Sequence, residues 1–204
     1  MRENCAVLLC LAAAVSCLGQ ENAVPKNELA FGLGGIPARS RVDQPNLTAG
    51  PGVAFAVNYA RKFLSRRTFA LYGEVMLLAS PQRQITSIIP TATRDVASLY
   101  ITPGVRLKLL PAARISPYFA VGGGYGDYEQ SKTQLDGRRN PAPRELSRGV
   151  FDFGAGMDVR LWRWLALRGE ARDFYTGSPA YNVAGISGGQ HNLVAGGAFV
   201  LRWH

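Results

Sequence analysis

The chain has 204 residues, of which 47% are hydrophobic and only 18% are charged. This composition is too apolar for a disordered protein and too poor in charge for a coiled coil. The 23 glycines and 12 prolines disfavour long helices, and no apolar run beyond the N-terminus is long enough for a membrane-spanning helix.

The N-terminus has the layout of a secretory signal peptide. A basic start is followed by an apolar run over residues 5–18, which is too short to cross a bilayer as a helix, and then by a polar stretch. We predict a cleaved signal peptide over residues 1–19 and one exported domain over residues 20–204. The alternative is a lipoprotein signal that would place a lipid on Cys17.

The exported domain repeatedly alternates apolar and polar residues with a period of two, which indicates β-strands. The alternation is cleanest over residues 149–161, where Phe151 and Phe153 fall on one side and Asp152 and Asp158 on the other. Most of the predicted strands exceed the length of about 5–6 residues that is typical of soluble sheets. There are eight, covering about residues 27–35, 52–63, 68–78, 96–109, 116–128, 149–161, 164–175 and 191–203.

The links between these strands alternate between short turns and long polar loops. The turns fall near residues 65–66, 111–113 and 162–163, and the loops cover about residues 37–50, 80–95, 130–147 and 177–189. Long strands joined in this way describe an up-and-down barrel with two different ends.

The two faces of the strands indicate which side is inside. One face carries Phe, Leu, Val, Ile and Met, whereas the other carries Gly, Ala and a few large charges, too little apolar volume for a soluble core. In lipid the apolar face lies outside. The predicted fold is therefore all-β, an eight-stranded antiparallel up-and-down transmembrane β-barrel. A soluble barrel or sandwich is the alternative, and it would expose the aromatic–aliphatic face to water.

The short turns also predict which charged residues face each other. Folding the chain at Arg163 places Asp158 opposite Arg168, and it places glycines opposite Glu170 and Arg172. Glycines leave room for the long side chains, and neighbouring acids and bases neutralise each other inside a narrow lumen.

Two other hairpins extend this set. Folding near residue 66 places Asn58 opposite Glu74, and folding near residue 113 places Lys108 opposite Tyr118. We predict a lumen charge cluster with a structural role, made of Glu74, Arg106, Lys108, Asp158, Arg168, Glu170 and Arg172.

Aromatic residues are predicted at two levels, as at the two interfaces of a membrane. Phe63, Trp162, Trp164 and Trp203 lie near the short turns, and Tyr125, Phe151 and Tyr175 lie near the long loops. Trp164 has lumen parity in this register, so it is assigned to the turn instead.

The glycine-rich segment 117–126, the segment 168–172 and the C-terminal segment 199–203 resemble the small bacterial outer-membrane β-barrel domains of the OmpA/OmpX type. The resemblance implies a Gram-negative outer membrane and a structural or surface-interaction role in envelope integrity, adhesion or glycan contact. It also implies that the barrel-assembly machinery reads the C-terminal strand, although His204 here follows the usual terminal aromatic residue.

The exported domain offers few residues for catalysis. It has two histidines and no cysteine, so we expect no metal, no cofactor and no catalytic residue. A lipid A-modifying barrel enzyme is the alternative. The deacylases of that kind carry a serine two positions after their histidine, where this chain has Leu193 after His191. A small pore is a further alternative, but eight strands leave an interior that side chains fill.

The net charge of +9 calls for an anionic partner. Arg138, Arg139 and Arg144 form a basic patch in the longest loop, and we expect it to meet lipopolysaccharide phosphates or other anionic surface polymers. The alternative is that the loop arginines are simply solvated and bind no partner. Outer-membrane lipids surround the barrel, which we expect to be a monomer. Nucleic acid is not expected, because the chain is exported and has no aromatic–basic recognition surface.

Overall fold

A computed structural model describes residues 24–40, 46–177, 179–186 and 188–204. The predicted signal peptide, with Cys17, lies outside these residues. None of the described segments is a helix long and apolar enough to cross a membrane. The strands are β1 (Asn27–Ile36), β2 (Arg39–Ser40), β3 (Leu47–Ala49), β4 (Gly52–Ser65), β5 (Phe69–Ser87), β6 (Asp95–Leu109), β7 (Ile115–Gln130), β8 (Glu145–Arg160), β9 (Leu165–Gly177) and β10 (Gly189–Trp203).

Eight of the described strands close into a ring. Strand β1 pairs with β4 on one side and with β10 on the other, and β4 to β10 pair in chain order. Every pairing is antiparallel, and the β5–β6 pairing completes the circle. The predicted up-and-down barrel is confirmed. The two short strands β2 and β3 extend the long-loop end of β5 outside the ring.

The barrel is apolar outside and polar inside. Along β8, Phe151 and Phe153 are 49% and 46% exposed, whereas the Asp152 between them is fully buried. A continuous outer band of exposed Phe, Leu, Val and Ile side chains would be unfavourable in water, and lipid chains cover such a band in a membrane. The barrel therefore spans a membrane through its strands.

The seven predicted interface aromatics all lie on the outer surface. At the short-turn end, Trp162 and Trp164 stack with their ring centroids 6.0 Å apart. Trp164 belongs to the turn between β8 and β9, as its assignment required. At the long-loop end, Tyr125 is 70% exposed and Tyr175 is 42% exposed. Two aromatic belts bound the apolar band.

The strand registers match the hairpin predictions except in one place. Asp158 faces Arg168 and Lys108 faces Tyr118, as expected. The prediction that Asn58 faces Glu74 is wrong: the pairing of Ser65 with Ala70 centres the turn between residues 67 and 68, not at residue 66. The β-bulge near Lys62 offsets only part of this difference, and Asn58 faces Met76. The Asn58 amide still reaches the Glu74 carboxylate at 3.3 Å.

The long loops fold over one end of the barrel. The predicted loop over residues 80–95 is shorter than expected, because β5 continues to Ser87 and pairs there with β3. Backbone N–H groups of Thr93 and Leu135 donate to the carbonyl oxygens of Tyr181 and Ala92, each at 2.9 Å. Buried apolar side chains from these loops join those of the upper lumen in one cluster, which includes Ile85, Ala92, Tyr181 and Val183. The loops form a cap with its own core.

Candidate functional site

The lower half of the lumen is organised around one carboxylate, Glu28 of β1. Its Oε1 lies 2.5 Å from Lys108 Nζ, and its Oε2 lies 3.3 Å from Arg106 Nη1 and 3.2 Å from Arg168 Nη2. Arg202 Nε approaches Oε1 at 3.7 Å. Four cations on three strands, β6, β9 and β10, therefore share this fully buried carboxylate.

Asp158 of β8 binds two of these cations, Arg168 and Lys108, from the short-turn side. Its two oxygens accept hydrogen bonds from Arg168 Nε at 2.7 Å and Nη2 at 3.0 Å. Lys108 Nζ lies 2.6 Å from its Oδ2. The fork of two nearly parallel N–H bonds is the strongest geometry for this kind of pair.

Arg172 of β9 organises the next layer of the lumen. Its guanidinium lies 2.8 Å from Glu74, 2.8 Å from Asp152 and 3.2 Å from Glu170. Glu74 also pairs with Arg106, which connects this layer to the one around Glu28.

The lumen network is balanced in charge. Within the described residues, its five cations (Arg106, Lys108, Arg168, Arg172 and Arg202) match its five carboxylates (Glu28, Glu74, Asp152, Asp158 and Glu170). The structure brings all seven predicted lumen residues together. Sequence reasoning missed Glu28, Asp152 and Arg202 as members, although their parity already put all three on the polar face of their strands.

Aromatic rings and glycines complete the packing of the lumen. The Tyr118 hydroxyl donates to Glu170 Oε2 at 2.6 Å, and the guanidinium groups of Arg106 and Arg168 lie 4.8 Å and 4.9 Å from the centre of its ring. A Cβ on Gly154 would lie 2.5 Å from Arg172 Cγ. Glycine at this position is therefore what gives the guanidinium chain its room.

A further buried arginine, Arg83, closes the upper lumen by donating hydrogen bonds. Arg83, 4% exposed, donates from Nη1 to Asn192 Oδ1 and from Nε to the carbonyl oxygen of Gly50, each at 3.0 Å. The Tyr128 hydroxyl lies beside it, bonded to Tyr100 and Thr176. Between this layer and the charge network lies a void of about 20 Å³, room for about one water molecule.

The predicted basic patch lies on the loop between β7 and β8. Arg138, Arg139 and Arg144 are all exposed. Arg138 Nε lies 3.6 Å from Asp136, and Arg144 pairs with Glu129. Exposed ion pairs of this kind contribute little, about 0–1 kcal/mol, so the cations stay available to an anionic surface.

One polar pair lies on the outer wall instead of in the lumen. His191 Nδ1 lies 2.7 Å from Asp173 Oδ2. Leu193, where a deacylase-like arrangement would need serine, pairs directly with Asp173 across the β9–β10 ladder. The described residues contain no group of three His, Cys, Asp or Glu side chains that could hold a metal ion.

This combination of an apolar exterior, a charged interior and eight up-and-down strands defines a small outer-membrane barrel. Similar folds occur in Ail, the attachment invasion locus protein of Yersinia pestis (TM-score 0.50, 11% identity, covering 86% of this chain and 98% of that one). Neisserial surface protein A has a similar fold (TM-score 0.51, 10% identity, covering 87% of this chain and 96% of that one). So does OprG from Pseudomonas aeruginosa (TM-score 0.52, 12% identity, covering 88% of this chain and 97% of that one).

At these identities the likeness concerns the fold, and it confirms the resemblance to small outer-membrane barrels at that level. No protein-family model and no curated protein matches the sequence. The fold and its lipid-facing surface make the bacterial outer membrane the location of this protein.

Proposed function

We propose that this protein is a non-enzymatic barrel that presents a folded loop surface to anionic glycolipid at the cell exterior. The observation that carries the proposal is the closed lumen. Its ionised side chains are engaged with one another, and a capped upper layer separates them from the loop end. The chemistry left for a partner is therefore on the loops.

The basic patch on the β7–β8 loop supports a polyanionic partner. Its three arginines are exposed and lie beyond the upper aromatic belt, where the phosphates of surface glycolipid are found. Arginine binds phosphate through paired N–H donors, which makes it well suited to this partner. The nearby Asp136 and Glu129 reduce the net charge of the patch without burying it.

The C-terminal strand supports the proposed contact with the assembly machinery. Strand β10 ends at Trp203, which is 43% exposed on the outer wall and packs near Tyr59, with ring centroids 6.5 Å apart. We propose that this aromatic end is what the machinery reads, and that the barrel works as a monomer.

The test replaces Arg138, Arg139 and Arg144 with serine in the refolded mature barrel. Binding to vesicles that contain lipopolysaccharide is expected to weaken at low salt, and the difference from wild type should shrink as ionic strength rises. Surface electrostatics of this kind are screened over about 8–10 Å at physiological salt.

A matched control replaces Arg66 with serine at the opposite end of the barrel, where it is also exposed. This change should leave binding from the loop side unaltered. Equal binding by the triple variant and wild type at low salt would contradict the proposal. Release of a fatty acid from lipid A by the wild-type barrel would instead favour the enzyme alternative.

A further inference from the structure

The pair formed by Asp173 and His191 lies on the surface of the barrel that faces lipid. Asp173 has the same parity as Ala171 and Tyr175, and its neighbours across the ladders are Phe153 and Leu193. Among the described outward-facing residues between the two aromatic belts, Asp173 is the one carboxylate. An ionised group in that position is costly and calls for a function.

The depth of this carboxylate can be worked out along β10. Ten residues separate Leu193, its ladder partner, from Trp203 in the lower belt. At about 3.3 Å per residue and a tilt of about 40°, this amounts to roughly 25 Å, the height of the apolar band of such barrels. Asp173 therefore lies at the upper edge of the apolar band, and His191 lies two residues past its ladder partner, nearer the lipid headgroups.

The carboxylate is only half satisfied. Its Oδ2 is engaged by His191 Nδ1 at 2.7 Å, and its side chain is 15% exposed. Its Oδ1 is buried and has no hydrogen-bond partner within the described residues. The Tyr175 ring lies 4.8 Å from the imidazole and covers Gly189, where any Cβ would collide with it, so the imidazole is held in place. The exposed part of the carboxylate is the part that a lipid group can reach.

A shallow groove of about 420 Å³ leads away from Asp173 along the wall. Ala155 and Ala171 form its floor, and the side chains of Phe119, Phe153 and Leu193 also line it. Its lining is apolar apart from the carboxylate, so a hydrocarbon chain fits the groove and a polar group fits its upper end.

We propose that this groove binds an acyl chain of an outer-leaflet glycolipid whose 3-hydroxyl group donates to the exposed part of the Asp173 carboxylate. Ester-linked phospholipids present only acceptor oxygens at this depth, and these repel a carboxylate. Lipid A has amide-linked chains with 3-hydroxyl groups, which supply donors there. This inference rests on the proposed function in one respect, because both name glycolipid as the partner. The wall site uses none of the loop arginines.

The experiment measures lipid binding to the refolded mature barrel in detergent by native mass spectrometry. The probes are lipid A, a synthetic lipid A without 3-hydroxyl groups, and phosphatidylglycerol. Asp173→Leu is expected to weaken lipid A binding by about tenfold to a hundredfold, because it removes a hydrogen bond to a charged acceptor. Glu145→Leu, which removes an exposed carboxylate of β8, is the matched control and should change nothing.

The wild-type barrel should bind lipid A in preference to both other probes, and high salt should leave this preference intact. Heat-modifiable gel migration confirms that each variant has folded. Equal lipid A affinity of Asp173→Leu and wild type would overturn the inference, as would equal binding of phosphatidylglycerol. The variant with serines at 138, 139 and 144 should keep the hydroxyl preference, so failure of the loop proposal and failure of the wall site give different results.

Discussion

Replacing Glu28 with glutamine tests whether charge balance holds the lumen together. The substitution keeps the size of the side chain but removes the carboxylate that contacts Lys108, Arg106 and Arg168 at 2.5–3.3 Å. At an effective dielectric constant of about 20, one 3.3 Å contact corresponds to about 5 kcal/mol, much of it offset by the desolvation of the carboxylate. Breaking a buried network by removing one partner costs about 3–5 kcal/mol, and we expect a loss of unfolding free energy of that size.

The assay is equilibrium unfolding in urea, with the barrel in lipid vesicles and tryptophan fluorescence as the signal. Glu145→Gln, an exposed carboxylate at the far end of β8, is the control and should change stability by less than about 0.5 kcal/mol. Adding Lys108→Met to Glu28→Gln should restore part of the loss, because the uncompensated cation is removed with its partner. A loss below about 1 kcal/mol for Glu28→Gln alone would refute the reasoning.

Two further predictions concern packing and closure of the lumen. Gly154→Ala should lower the unfolding free energy by about 1–3 kcal/mol, because its Cβ would lie 2.5 Å from Arg172 Cγ and from the carbonyl oxygen of Ala171. Gly169→Ala, which meets nothing within 4 Å, should leave urea unfolding unaltered. Arg83→Met removes the guanidinium that ties the upper lumen to the loops, so single-channel conductance in planar bilayers should rise above that of wild type. An unchanged conductance would show that the loop core closes the barrel without it.

Local patterns were sufficient to predict the eight strands and the hairpins with regular ladders. The predicted register of the β8–β9 hairpin is correct because its ladder has no bulge between the Asp158–Arg168 pair and the long-loop end. The predicted register of the β4–β5 hairpin is wrong because its turn is centred between residues 67 and 68 and not at residue 66. The bulge near Lys62 then adds one residue to β4 and leaves no mark in the alternation. Period-two patterns set which face a residue takes, but they do not reveal an inserted residue.

Long-range strand pairing explains why the sequence did not reveal Glu28 as a member of the lumen network. Glu28 lies on the polar face of β1, but no hairpin precedes that strand, and its second partner is β10 at the opposite end of the chain. The register of that seam determines which cations surround Glu28, and it depends on the geometry of the whole ring. The cap was hidden for a related reason: Leu47, Ile85 and Tyr181 lie in three different segments that the sequence predicts to be loops, and they form a core only when these segments meet.

The seam between β1 and β10 joins the two ends of the chain, and this shapes how the barrel assembles. Without Glu28, the charge network would hold five cations against four carboxylates, and β1 supplies the missing charge. The same strand, β1, therefore closes the ring of backbone hydrogen bonds and completes the charge balance of the network.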